Sequence, residues 1–125
     1  MIYAIGHDIV ENQRIAAVVA RYGQRSVARL LTALELEIYA VREDKIKFIA
    51  KRFAAKEAFA KACGTGLRAP VLLSNISVIN DSQGKPYFIL APLLAAWITQ
   101  LGIVSYHLSL SDERSISSAV VIFEK

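Results

Sequence analysis

One stretch limits what this chain can fold into more than any other: the run from about Asp44 to Cys63, with its core KRFAAKEAFAKAC, followed by Gly-Thr-Gly. It predicts the longest helix of the chain, stopped by Gly64 as a C-terminal glycine cap. At about 100° per residue, one face carries Ala50, Phe53, Ala54, Ala60 and Lys61, and the opposite side Phe48, Ala55, Phe59 and Ala62. A helix apolar over most of its circumference belongs at the centre of a fold, with other elements packed around it.

The flanking sequence supplies those elements. Residues 2–10 read as an extended, mostly apolar strand, and residues 12–30 have helix-forming composition with a break expected at Gly23. Thr32 and Glu35 form a T-x-x-E capping box ahead of Leu36, Ile38 and Tyr39, so another helix starts there. Residues 65–74 read as loop. Ile76 to Asn80 and Tyr87 to Leu90 flank an S-Q-G-K-P turn, as strand, turn, strand. Pro92 opens a short helix to about Leu101, and residues 106–111 and 116–123 close the chain as two strands. The expected fold class is α+β, a mainly antiparallel sheet packed on a long central helix, in a single domain spanning 1–125.

Composition narrows the setting. Apolar residues make up 54% of the chain, above the usual share for a soluble domain, and the excess points to an oligomer interface. No apolar run reaches the roughly 18 residues of a membrane span, so no membrane association is expected. The segment MIYAIGHDIV lacks a basic start and carries Asp8 within its apolar run, unlike a secretory signal. Cys63 is the lone cysteine, which excludes an intrachain disulfide framework and fits a reducing, cytoplasmic compartment. Fifteen basic residues against eleven acidic ones favour an anionic partner: phosphate, nucleic acid or an acidic protein. Charge does not choose among them.

Two carboxylates stand where the pattern asks for something else. Asp8 shares a strand face with Ile2, Ala4, Gly6 and Val10. It is either a strand end reaching solvent, or a cap, or a group that needs a cation. Glu57 lies within a small-residue face of the long helix, where it is either an i,i+4 surface partner of Lys61 or a second carboxylate in the same position of need. Two such groups can hold one hard cation, with phosphate oxygens and water completing its shell. Lysines and the Gly-rich loop beside them would face a pyrophosphate.

The segments GHDIVENQRI (6–15), FIAKRFAAKEAFAKACGTG (48–66), GKP (84–86) and HLSLSDE (107–113), in this order and spacing, resemble the holo-[acyl-carrier-protein] synthases, small 4′-phosphopantetheinyl transferases. The similarity spans essentially the whole chain, and GxDIVE together with RFAAKEAxxKAxGTG is highly specific. The resemblance implies the fold of that family and transfer of 4′-phosphopantetheine from coenzyme A to a serine of apo-acyl carrier protein in fatty-acid synthesis. Adenosine 3′,5′-bisphosphate is then the other product. It also implies magnesium dependence and a homotrimer with active sites at subunit boundaries.

Residue by residue, Asp8 and Glu57 match metal-binding positions, Lys61 a pyrophosphate-contacting lysine, and His107 a histidine near the coenzyme A phosphates. Without the resemblance, His107 reads as a surface histidine on a polar strand face with Ser109 and Ser111. Gly64, Thr65, Gly66 and Lys85 are weaker candidates for the nucleotide site. His7, Asn12 and Asp112 depart from the commonest pattern, which has Thr or an aliphatic residue, an apolar residue and a His there. Arg14, Arg21 and Arg25 fall within about 40° on a helical wheel, with Val18 inside the stripe and Arg29 slightly off it. Such a stripe is ordinarily a solvated face. With the resemblance it becomes a dock for an acidic carrier protein. A metal-associated water and the carboxylates are both open as the base for the serine proton.

Two rival classes are distinguishable. A nucleic-acid-binding domain needs many solvent-facing cations and aromatics on a sheet surface, and this chain spreads Phe48, Phe53 and Phe59 around its central helix instead. A carrier- or coenzyme-A-binding module without catalysis would not need Asp8, Glu57 and Lys61 together.

Overall fold

The computed structural model describes residues 1–125. Strand β1 (Ile2–Glu11) leads into helices α1 (Asn12–Tyr22), α2 (Gln24–Leu30), α3 (Ala33–Ala40) and the long α4 (Lys45–Cys63). A 3-10 turn at Leu73–Asn75 precedes β2 (Ile76–Asn80) and β3 (Pro86–Leu90). Helix α5 (Pro92–Gln100) then leads to β4 (Ser105–Asp112) and β5 (Ile116–Glu124). No helix is long and apolar enough to cross a membrane.

The strands are antiparallel throughout, as expected, and divide into two sheets: β1-β5-β4, and the β2-β3 hairpin. Helix α4 lies under the inner face of the larger sheet. Phe59 explains how both sheets meet there, because its ring packs edge-on against Phe123 of β5 and Phe88 of β3, each at 5.0 Å between centroids. Eleven residues of α4 are buried, which matches a helix apolar nearly all round. Two of them are Arg52 and Lys56, whose charge gave no hint of burial.

Local signals placed most ends correctly. Thr32 accepts from the Glu35 N–H while the Glu35 carboxylate accepts from the Thr32 N–H, so the capping box is complete. Gly64 takes the left-handed φ of 78° that ends α4, and Gly23, at φ 63°, separates α1 from α2. That break corrects the single arginine stripe: Arg14, Val18 and Arg21 ride on α1, whereas Arg25 and Arg29 ride on α2.

Gly6 decides how close β1 comes to α4. A Cβ there would lie 1.8 Å from the Ala58 carbonyl oxygen and 2.8 Å from the Ala62 nitrogen. Only glycine allows this crossing, and it sets Asp8, two residues on along the same strand face, against the last turns of α4.

Candidate active site

Asp8 sits on the inner face of β1, with its side chain 14% exposed, opposite Ala119 of β5. Its Oδ1 accepts a hydrogen bond from Lys61 Nζ at 3.0 Å, and the same ammonium donates to the His7 carbonyl oxygen at 3.0 Å. Glu57, one helical turn before Lys61, is half-buried. Burial, and after it the negative charge of Asp8, push the Glu57 carboxyl above the usual carboxylate range, while Lys61 and Arg14 pull it back. Three of the expected residues thus share one electrostatic site, and Lys61 pairs across to Asp8 instead of folding back on Glu57 alone. Arg14 belongs to this neighbourhood too.

No group of three or more His, Cys, Asp or Glu side chains is gathered anywhere in the chain. The donor set at Asp8 and Glu57 is two hard oxygen groups, the first mostly buried and the second half-buried. That suits a magnesium-type cation, which commonly takes one or two carboxylates and completes its shell with water and phosphate oxygens.

The Gly64–Thr65–Gly66 loop is more self-contained than a phosphate cradle. The Gly64 N–H donates to the Ala60 and Lys61 carbonyls as the helix cap, and Thr65 Oγ1 donates to the Gly66 carbonyl at 2.8 Å. Lys85 lies in the exposed β2–β3 turn, where its N–H donates to Asp81 Oδ1 at 2.9 Å. His107 is not brought to Asp8 within one chain. It points from the outer face of β4, away from α4, and shares a 2.6 Å hydrogen bond with Glu124 Oε1. That bond and one from Ser105 hold the Glu124 carboxyl below its ordinary range.

Sequence reasoning missed a second feature, a groove beside the first half of α4. Arg42, Lys51, Arg52, Asn80, Gly84, Pro86 and Asp112 line it with two apolar side chains. Arg52 is buried, stacks over the Phe48 ring at 4.0 Å and donates to Asn80 Oδ1 at 2.7 Å, while its Nε has no partner. The Arg52 Nε itself is sealed from solvent, and the groove's cationic rim is supplied by Arg42 and Lys51. The signal was present as Lys51-Arg52 within the first half of the helix, but adjacent cations do not reveal which one turns inward.

The three departures from the pattern find structural work. Asn12 Oδ1 accepts from the buried Ser117 hydroxyl at 2.8 Å. Asp112 pairs with Lys47 at 3.2 Å and Lys51 at 3.7 Å at the rim of the groove. His7 faces outward from β1 and gives the site only its carbonyl oxygen.

A separate groove runs between α1 and α2, lined by Val18, Arg21, Tyr22, Arg25, Ser26, Arg29 and Leu30. Val18, Arg21 and Arg25 therefore come together despite the break at Gly23. Arg14 does not line it.

The chain that sets this strand-borne aspartate against a helix carrying a glutamate and a lysine matches the 4′-phosphopantetheinyl transferase superfamily over residues 4–117. The chain belongs to that family. Among its relatives, the holo-[acyl-carrier-protein] synthase of Nitrosomonas eutropha is 54% identical over 125 residues, covering all of both chains. The crystal structure of holo-[acyl-carrier-protein] synthase from Neisseria meningitidis superimposes with a TM-score of 0.98 at 45% identity, covering 100% of each chain. A structure of the Bacillus anthracis holo-(acyl-carrier-protein) synthase in complex with CoA (3′,5′-ADP) superimposes with a TM-score of 0.83 at 34% identity, covering 99% of this chain and 97% of that one.

Proposed function

We propose that this chain, acting as a single domain, transfers the 4′-phosphopantetheine group from coenzyme A to a serine of an apo-acyl carrier protein. The observation that carries this reading is the juxtaposition of Asp8, Glu57 and Lys61 at the β1–α4 crossing, in a chain so similar to named holo-[acyl-carrier-protein] synthases. The serine hydroxyl gives its proton to a base, its Oγ forms a bond to the β-phosphorus of coenzyme A, the bond from that phosphorus to the bridging oxygen breaks, and adenosine 3′,5′-bisphosphate leaves with the bridging oxygen. Such chemistry depends mainly on positioning and charge stabilisation.

Each residue then has a task. Asp8 and Glu57 would hold a magnesium ion, which when bound would neutralise pyrophosphate charge. Lys61 offsets the charge that builds on the departing phosphate. Arg42 and Lys51, with Arg52 behind them in the same groove, take the phosphorylated nucleoside end of coenzyme A. The turn around Lys85 borders that groove through Gly84 and Pro86. The α1–α2 groove takes an acidic helix of the carrier, its cations steering encounter and Val18 giving apolar contact.

The outer face of the β1-β5-β4 sheet supports the homotrimer. Tyr3, Ile5, Ile9, Ile116 and Val120 are exposed on it, an apolar patch on the very face that carries His107. A second copy seated there would bring His107 to a neighbour's coenzyme A phosphates, which one chain by itself does not do. A cytoplasmic setting, where coenzyme A and carrier protein are both available, completes the reading.

A nucleic-acid-binding role fits poorly, because Arg52 and Lys56 of the basic helix are buried and Phe48 and Phe59 lie in the core. The test is to incubate the chain with coenzyme A, magnesium and apo-carrier. Release of adenosine 3′,5′-bisphosphate in step with conversion of the carrier supports transfer. Carrier binding without release identifies a module that binds but does not catalyse.

A further inference from the structure

One charged pair takes no part in the site described above. Lys56 and Glu35 are both 0% exposed, and Lys56 Nζ donates to Glu35 Oε1 at 2.6 Å. The ammonium also donates to the Leu30 carbonyl at 2.8 Å and the Leu73 carbonyl at 3.2 Å. Glu35 Oε1 accepts from the Thr32 N–H at 2.9 Å, and Oε2 from the Val78 N–H at 2.9 Å. All three ammonium protons and both carboxylate oxygens are therefore matched.

These partners lie on separate elements: the end of α2, the start of α3, the 3-10 turn and β2. Leu30 is the last residue of α2 and lines the α1–α2 groove beside Arg29. Lys56 is the residue directly before Glu57. Consecutive residues on a helix point about 100° apart. Lys56 accordingly reaches α2, α3 and the 3-10 turn, with Glu35 continuing the network to β2, while Glu57 lies by Asp8 and Lys61. One peptide link of α4 therefore joins the residue that anchors the groove to the carboxylate of the site.

An apolar pair of like volume often stabilises a fold as well as a buried ion pair. What an apolar pair lacks is direction. An ammonium with three fixed acceptors admits one placement of the Leu30 carbonyl relative to α4, and packing of methyl groups admits several.

We propose that the Lys56–Glu35 pair is a positioning device that holds the α1–α2 groove at one distance from Asp8, Glu57 and Lys61. A carrier docked in the groove then presents its serine hydroxyl at the transfer site. This rests on the groove being the carrier dock. Neither residue touches a substrate, so the pair governs the carrier half of the reaction and leaves coenzyme A binding alone.

The test compares Glu35→Gln and Lys56→Arg with the unaltered chain, well below their unfolding midpoints. Gln keeps an oxygen for the backbone donors but removes the charge; Arg keeps the charge but changes the reach. The expected result is a drop of about tenfold in kcat/KM for the carrier with an unchanged KM for coenzyme A. Arg21→Glu, assayed in parallel, tests the groove itself. If Arg21→Glu lowers carrier kcat/KM and the pair variants do not, the positioning role is overturned while the dock stands. If none of the three moves it, both fall. A KM for coenzyme A that rises with the carrier's also overturns the proposal.

Variants that fail to fold do not end the test. In the unaltered chain, adding apo-carrier should slow amide exchange at Thr32 and Val78, the two N–H groups held by Glu35. Unchanged exchange there would overturn the proposal.

Discussion

Lys61 Nζ lies 3.0 Å from Asp8 Oδ1, so the proposed phosphate ligand and the proposed metal ligand hold each other when nothing else is bound. Lys61 is 54% exposed and long enough to swing away, whereas Asp8 is fixed in a strand. A divalent cation arriving at Asp8 competes with that ammonium. Lys61→Met should therefore tighten manganese or magnesium binding about fivefold, by removing a nearby positive charge. It should also slow transfer by about a hundredfold, by removing charge stabilisation of the leaving group. Calorimetric titration and single-turnover rates measure the two effects. Weaker metal binding in the variant would show that Lys61 supports the ion instead of competing with it.

Gly6 sets the geometry on which this depends. Gly6→Ala places a methyl group 1.8 Å from the Ala58 carbonyl oxygen, an overlap that only movement of β1 away from α4 relieves. The cost is about 3 kcal/mol or more, and the unfolding midpoint should fall by more than about 5 °C. The folded fraction should also lose activity, because Asp8 moves with β1. A variant that melts lower yet transfers at full rate per folded molecule would show that the Asp8–α4 spacing is not critical.

Cys63 gives a pH prediction. Burial pushes its thiol up to about 12, so the thiol stays protonated at neutral pH. At pH 8 an ordinary thiol is roughly one-quarter thiolate, and this one should be far below one per cent. Alkylation by iodoacetamide should be slow at pH 8 and rise about tenfold per pH unit through pH 10, tracking the thiolate fraction. Rapid labelling at pH 8 would place Cys63 in a different environment.

Ile5 and Ile9 project from the outer face of β1, 59% and 57% exposed. If this face joins three copies, Ile5→Lys together with Ile9→Lys should convert the trimer to monomer by light scattering and remove most activity. Both substitutions lie outside the monomer's core, so the helical signal and melting of the isolated chain should change little. An active monomer would separate catalysis from assembly.

Most of the fold was legible because its signals are local. The Thr32–Glu35 box, the Gly64 cap, Pro92 and the Gly23 break each act within a few residues. The division of the strands into two sheets was not legible, since pairing is a non-local choice. Glu57 stood out as an acid on a small-residue face, and Asp8 as an acid in an apolar strand. Nothing local tells Arg52 and Lys56 apart from Lys51 and Lys61, also cations of the same helix. What separates them is the partners they find far along the chain: Asn80 for Arg52, and Glu35, Leu30 and Leu73 for Lys56. The outward placement of His107 was legible, because Ser109 and Ser111 mark its strand face as polar, and all three are exposed.

The most direct measurement is the mass of apo-acyl carrier protein after incubation with coenzyme A, magnesium and this chain. A gain equal to one phosphopantetheine per carrier is expected with the unaltered protein, reduced by at least about a hundredfold in rate with Asp8→Ala and with Glu57→Ala. No gain with the unaltered chain, or a gain undiminished in both variants, would contradict the assignment of Asp8 and Glu57 as the pair that holds the metal for phosphopantetheine transfer.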